Sequence, residues 1–547
     1  MKFNKSISVF LAVIFSGLIS FSFAPSVSNK YFEKFAFDRK LSLQSEVPDW
    51  ALLDPKDGYE GTSTLELYKY IKDNGLQIKK QVVVAIIDSG IDVDHPAIKD
   101  NLWNNDAEIN GQPGVDDDGN GYIDDFHGWN FLGKTSGLSL EATREMVRLR
   151  RLGTSTSDPY YKTVIDKVNS DREETTQIRD GVTFTLQQVE DAEKVLKSGN
   201  YPVTRQELSK ITSTLSGKYK DAANTISTTY MLYGMDKDEL VKIKAEYVKK
   251  ASVLYDTTDT YKMIGDDPNN LNEKGYGDNE FDKHPETHGT HVCGIICSNV
   301  STIGQAPFAK FMTLRTIPDE GDERDKDVAN AIRYAVDNGA DVINMSAGKY
   351  FSPNPDLVIE AMKYAESKGV VYVSSAGNEA SDIEQVINYP RKFIMEGSSI
   401  KYFSNLIVVG SNSWMKTWSS TKDPNNDNAN YDLLASFSNY SGKIVDVFAP
   451  GVQIRSTVPG GKFEYLSGTS MSSPEVTGIV AIIKAYFPGL TAEKIKNVIN
   501  ESARKYPGLQ VKVKGKNSKV DFTSLSRSGG VIDAYKAFVM AAGISSR

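Results

Sequence analysis

The chain has 547 residues, 40% of them hydrophobic, which is enough for two or three domains with substantial cores. Its 63 Lys and Arg against 71 Asp and Glu give a net charge of −8, which argues against a nucleic-acid partner or an anionic membrane surface.

The first residues carry Lys2 and Lys5, an apolar run from Ile7 to Ile19 and then the small residues Ser22 and Ala24. That order predicts a secretory signal peptide over 1–26, cut a couple of residues beyond Ala24, for example after Ser26, because Pro25 hinders cleavage directly after Ala24; an uncleaved signal anchor is the alternative. No cysteine stands near the cut, which argues against a lipoprotein. The expectation is an exported protein, secreted or periplasmic, with no stable membrane span once the signal is removed. Residues 27–48 read as a short pro-segment or linker, and Trp50 to Ile71 as the start of the mature domain.

From there, short apolar runs at Val82–Ile87, Phe311–Leu314, Val342–Met345, Val370–Ser374, Leu406–Val409 and Val445–Phe448 alternate with helical patterns such as Asp327–Asn338 and Pro355–Lys368. This rhythm predicts an α/β fold, a doubly wound and mostly parallel sheet flanked by helices. Sites in such sheets form at the carboxyl ends of strands, where Asp88, Ser346 and Asn378 stand. The pattern places one part of a core domain at 49–132 and the second at 277–547.

Between them, residues 133–276 shift to Lys, Glu, Thr and Tyr with a helical period. Leu208, Ile211, Leu215, Tyr219, Ala222, Ile226, Tyr230 and Tyr233 predict one helix behind a Thr204-x-x-Glu207 capping box. Leu240 to Leu254 predict a second behind Asp236-x-x-Glu239, with a turn near Gly234, and Leu186–Leu196 a third behind Thr185, ending at Gly199. This helical insertion reads either as a packed, solubilising addition or as a lid or partner-docking module.

Asp116-Asp117-Asp118-Gly119-Asn120-Gly121-Tyr122-Ile123-Asp124 matches the first nine positions of an EF-hand loop, with oxygen donors at 1, 3, 5 and 9 and glycine at 6. Position 12 is His127, so another acid such as Asp125 has to complete the shell. Asp116, Asp118, Asn120, Tyr122, Asp124 and Asp125 are therefore candidate Ca2+ ligands, with a metal-free Asp/Gly turn as the alternative. Cys293 and Cys297 stand at i and i+4, about 6 Å apart on a helix and too far for an undistorted disulfide, so they read as reduced core residues. His95, His127 and His291 read as packing histidines.

Asp88-Ser89-Gly90, His288-Gly289-Thr290-His291, Asn344-Met345-Ser346-Ala347-Gly348, Ala376-Gly377-Asn378, Ser436-Phe437-Ser438-Asn439-Tyr440 and Gly468-Thr469-Ser470-Met471-Ser472-Ser473-Pro474 follow one another along the chain. In sequence and order they resemble the subtilisin-like serine proteases (subtilases, peptidase S8), over roughly 82–132 and 276–490. The resemblance implies a serine endopeptidase acting on a protein or peptide, with no organic cofactor. Ser470 would be the nucleophile, His288 its base and Asp88 the group that orients the imidazole. Asn378 would donate its amide to the oxyanion, and Ser346, Ala347 and Gly348 would pair an extended substrate. Ala347 and Lys349 depart from common family choices near that segment, as do Glu475 and Thr477 after the serine. A rival reading keeps the fold but makes it a catalytically weak scaffold that binds partners through its insertion.

Overall fold

The computed structural model describes residues 49–300, 302–397, 399–415, 432–516 and 518–546. The expected signal peptide and the segment 27–48 lie outside the described residues.

Nine strands form the central sheet: β1 (Val83–Asp88), β2 (Gly128–Asn130), β3 (Lys310–Arg315), β4 (Val342–Met345), β5 (Val371–Ser375), β6 (Leu406–Asn412), β7 (Val447–Pro450), β8 (Arg504–Lys505) and β9 (Gly530–Val531). Their order is β8-β9-β7-β6-β5-β4-β1-β3-β2. Every neighbouring pair is parallel except β8 with β9. Alternation along each strand sends side chains to opposite faces, and here both faces are covered. Val84, Ile86, Val371, Val373, Ile407 and Val409 enter one core, packed against helices α1 (Thr287–Cys297) and α4 (Thr469–Tyr486). Ala85, Ile87, Ile343, Met345, Tyr372 and Val408 enter the other, with α2 (Asp325–Asp337) and α3 (Pro355–Ser367). Burial on both sides is why these strands are continuous apolar runs rather than alternating ones, and it makes the fold α/β, as expected.

Residues 174–245 cluster as one compact unit, and the described residues of 49–173 and 246–546 as the other. Within the larger unit, helix Glu141–Arg151 and the start of helix Pro159–Ser198 bury Ala142, Leu149, Tyr161, Val164 and Val168 around Phe351. Within the smaller unit, Tyr201 and Tyr219 meet with ring centroids 5.0 Å apart, Arg205 lies over Tyr230, and Lys237 reaches Glu193 at 2.8 Å.

Two helix expectations need correction. The helix expected over Leu208–Tyr233 is two, Arg205–Ile211 and Gly217–Tyr233, with a 3-10 turn at Thr212–Thr214. Thr212 and Thr214 hydroxyls donate to the Leu208 and Ile211 carbonyls, and Leu215 and Ser216 are extended before Gly217 at φ 52°. The helix expected at Leu186–Leu196 is part of a far longer one, Pro159–Ser198, in which Thr185 is no cap but bonds back to the Gly181 carbonyl. The Asp236 capping box is reciprocal as expected: Glu239 N donates to Asp236 and Asp236 N to Glu239. Among the described residues no helix is long and apolar enough to cross a membrane.

Candidate active site

Asp88 ends β1, fully buried, and its Oδ1 accepts the Ser89 backbone N–H at 2.8 Å. The same oxygen lies 2.7 Å from His288 Nδ1. His288 sits in the first turn of α1, which Gly289 brings against the β1 turn: a Cβ on Gly289 would stand 2.7 Å from the Ser89 carbonyl oxygen. Burial works against a charged His288, but the charge and hydrogen bond of Asp88 outweigh it and hold its pKa above the ordinary value. A carboxylate on Nδ1 fixes the tautomer and leaves Nε2 able to take a proton.

Ser470 is in the first turn of α4, and its hydroxyl donates to the Ser346 carbonyl at 3.0 Å. The reverse contact also forms, with Ser346 Oγ donating to the Ser470 carbonyl at 3.1 Å. Pro474 makes that carbonyl free to accept, because proline has no N–H to give to the residue four positions before it. Asn344 completes the join: it accepts from Ser473 and Thr477 hydroxyls and donates to Ser346 Oγ.

Asn378 follows β5. Its Oδ1 accepts from Thr469 N and Thr469 Oγ1, at 2.9 and 3.0 Å, which leaves the amide N–H groups for another partner. Gly377 adopts φ 102°, and a Cβ there would lie 2.4 Å from Asn439 Nδ2. Asn439 is a supporting residue whose role the motif alone does not reveal. It donates to the Ala376 carbonyl and accepts from the N–H groups of Glu379 and Ser381.

His288, Ser346, Ala347, Gly348, Asn378 and Ser470 all line one cavity of about 360 Å³. The structure thus brings the sequence-derived candidates together around one space, with Asp88 behind His288. Lys349, next along the edge, is buried, with its Nζ on Glu141 at 2.7 Å, Asp325 at 2.8 Å and the Glu323 carbonyl. Sequence reasoning missed Glu286, Asp319, Glu323 and Glu379 on the cavity wall, because no motif marks their convergence.

His291, His95 and His127 each meet a backbone carbonyl. His291 Nε2 lies 3.0 Å from the Ile454 carbonyl, and burial pushes it down to about 3. His95 meets the Lys462 carbonyl and His127 the Trp103 carbonyl. Cys293 and Cys297 are buried free thiols with sulfurs 3.7 Å apart.

Of the EF-hand-like candidates, Asp118 and Asp125 converge with Glu108, each offering an oxygen within 4.8 Å of the others. Glu108 precedes the motif and was not signalled by it; it is 2% exposed and accepts the N–H groups of Asp117, Asp118 and Asp124. Asp116 caps the N–H groups of Asn120 and Gly121, while Asn120 donates its amide to Asp118 and Asp125. Asp124 accepts Gly114 N with Oδ2, and its Oδ1 is buried without a hydrogen-bond partner among the described residues. The Tyr122 ring is buried against Trp129 and Tyr334, so only its backbone carbonyl is suited to a cation.

The signature of the Subtilase family matches residues 79–524. A thermophilic serine proteinase of Bacillus sp. (strain AK1) is 36% identical over 242 residues, 43% of this chain and 52% of that protein. Thermitase of Thermoactinomyces vulgaris is 37% identical over 225 residues, covering 40% and 68%. Subtilisin BL of Lederbergia lenta is 32% identical over 220 residues, covering 40% and 70%. The match therefore spans about half of the Bacillus relative. Among solved structures, a cold-adapted subtilisin-like serine proteinase is 26% identical, with a TM-score of 0.33, over 43% of this chain and 73% of that one. With the signature running across most of its length, the chain belongs to the subtilase family.

Proposed function

We propose that the protein is an exported serine endopeptidase, secreted or periplasmic, that hydrolyses peptide bonds through an acyl-enzyme. The observation that carries this is the 2.7 Å contact of Asp88 with His288 Nδ1 at the wall of a cavity that also holds Ser470 and Asn378. In this reading the Ser470 hydroxyl leaves the Ser346 carbonyl by rotation about its Cα–Cβ bond and gives its proton to His288 Nε2 as it attacks the scissile carbonyl. His288 then delivers that proton to the leaving amine, and Asp88 stabilises the imidazolium. The oxyanion is met by the Asn378 amide and the Ser470 N–H, and the substrate strand lies along Ser346, Ala347 and Gly348. Water, activated by His288, completes the cycle by hydrolysing the ester.

A Ca2+ ion is part of the proposal. Three converging carboxylates form no ion pair with a lysine or arginine among the described residues, a concentration of negative charge that a cation would offset. Glu108, Asp118 and Asp125, with Asp116, Asn120, Asp124 and the Tyr122 carbonyl nearby, would hold it and stiffen the loop. Chelator is expected to lower the melting temperature; an unchanged Tm refutes a tight structural site.

A fluorophosphonate probe on the mature protein tests the main reading. Labelling of Ser470 that disappears in Ser470→Ala supports it. A folded wild-type protein that takes no label refutes it and favours a binding scaffold whose helical insertion docks partners.

A further inference from the structure

The proposed substrate cavity has a chemical bias that none of the six motifs encodes. Its wall carries five carboxyl side chains, Glu286, Asp319, Asp322, Glu323 and Glu379, against one ammonium, Lys349. That ammonium is committed to Glu141 and Asp325 and is 2% exposed. Two residues before His288, Glu286 lines the cavity together with Asp319, two carboxyls that repel one another when both are ionised. Arg315 pairs with Asp319 at 3.1 Å, Lys249 stands near Glu286, and Arg144 and Lys349 face Asp322. Glu323 and Glu379 form no ion pair among the described residues. Glu323 is 3% exposed, and its Oε1 is buried without a hydrogen-bond partner among the described residues. A buried carboxyl in that condition is costly unless something supplies a donor.

From this wall we propose that the protease reading has a defined substrate class: peptides with lysine or arginine on the acyl side of the scissile bond, their cations held by Glu286 and Asp319 with Glu323 behind. This rests on the activity proposed above. A guanidinium or ammonium entering there offsets the crowding of like charges and gives the orphaned oxygen a donor, forming charge-assisted bonds in a partly desolvated space. Burial, with Asp319 beside it, pushes Glu286 up to about 7, and burial pushes Glu323 up to about 7, as befits carboxyls short of positive charge. The neutral alternative, an apolar side chain at this wall, would leave the carboxyls desolvated and unpaired.

Quenched peptides that differ only by arginine, lysine, norleucine or glutamate at each of the two residues before the scissile bond test the idea with the full-length protein. Arginine or lysine is expected to exceed norleucine in kcat/KM by about tenfold or more at one position, with glutamate poorest. The advantage should shrink as salt is raised. Glu286→Gln and Glu323→Gln, both isosteric, are expected to reduce the arginine-to-norleucine ratio, and Glu286→Lys to turn the preference toward glutamate. A wild-type protein that labels with fluorophosphonate yet cleaves norleucine peptides as well as arginine ones overturns the substrate class and leaves the protease reading intact. Absence of labelling overturns both.

Discussion

The ends of two neighbouring strands frame the same cavity and are held in opposite ways. Beyond β4, the edge Ser346–Lys349 is anchored by ions: Lys349 is buried between Glu141 and Asp325, and Arg144 pairs with Glu141 in turn. Beyond β5, the loop Ala376–Glu379 is anchored mainly by amides and a hydroxyl, from Asn439 and Thr469. Neutral bonds hold that loop whatever the pH. The ionic anchor instead ties a helix from the insertion, Glu141–Arg151, to the Ser346–Lys349 edge, and it is strong only while every charge in it has its partner.

The largest effect is therefore expected where one partner is removed. Lys349→Met leaves Glu141 and Asp325 buried beside each other, and breaking a buried pair this way costs about 3–5 kcal/mol. Urea unfolding measures it, and Lys349→Met/Glu141→Gln should regain part of the loss. A cost below about 1 kcal/mol would mean that the ionic anchor contributes no more than a surface pair.

On the neutral side the largest effect is on rate. Asn378→Ala is expected to lower kcat by about 100- to 1000-fold, or about 3–4 kcal/mol, with little change in KM, because in the proposed mechanism its amide is used only as the oxyanion forms. A mainly KM effect would make Asn378 a ground-state contact instead. Asn439→Ala, one layer behind, strands the Ala376 carbonyl and two N–H groups at about 1–3 kcal/mol of stability. Its kcat should fall less than that of Asn378→Ala. An equal fall would make Asn439 as important to the site as the residue it supports.

What the sequence reveals follows the same division. The six apolar runs, the carboxyl-end positions of Asp88 and Ser346, and the Asp236 capping box are local patterns, and local patterns are legible. Apolar spacing failed at Leu215–Gly217 because it runs unbroken through a turn made by threonine hydroxyls and a left-handed glycine, neither of which alters the period. It failed again at Pro159–Ser198, where the polar faces of a long helix masked a stripe from Val164 to Leu196. Lys349 with Glu141, Glu286 with Asp319 and Glu108 with Asp125 are pairings created by folding. The EF-hand-like motif marks the loop where Asp118 and Asp125 converge but could not supply Glu108, which joins them from outside its register.

A pH series separates the two anchors. Burial alone would raise Glu141, but the charges and hydrogen bonds of Arg144 and Lys349 overcome it and hold it down at about 2. A carboxyl depressed in the folded state contributes its full stability above its unfolded value near 4.5, and loses it as pH falls toward 2. Over that window the wild type should lose stability relative to Glu141→Gln by up to about 1.4 kcal/mol per pH unit. Thr469→Val is the matched control, since it removes hydroxyl bonds to Asn378 and Gly377 that involve no titrating group. Its cost should stay constant between pH 6 and pH 3, on the order of 1 kcal/mol. Parallel slopes for the two variants would show that the charges at Lys349 are screened as surface charges are, and the contrast between the strand ends would then be one of appearance rather than energy.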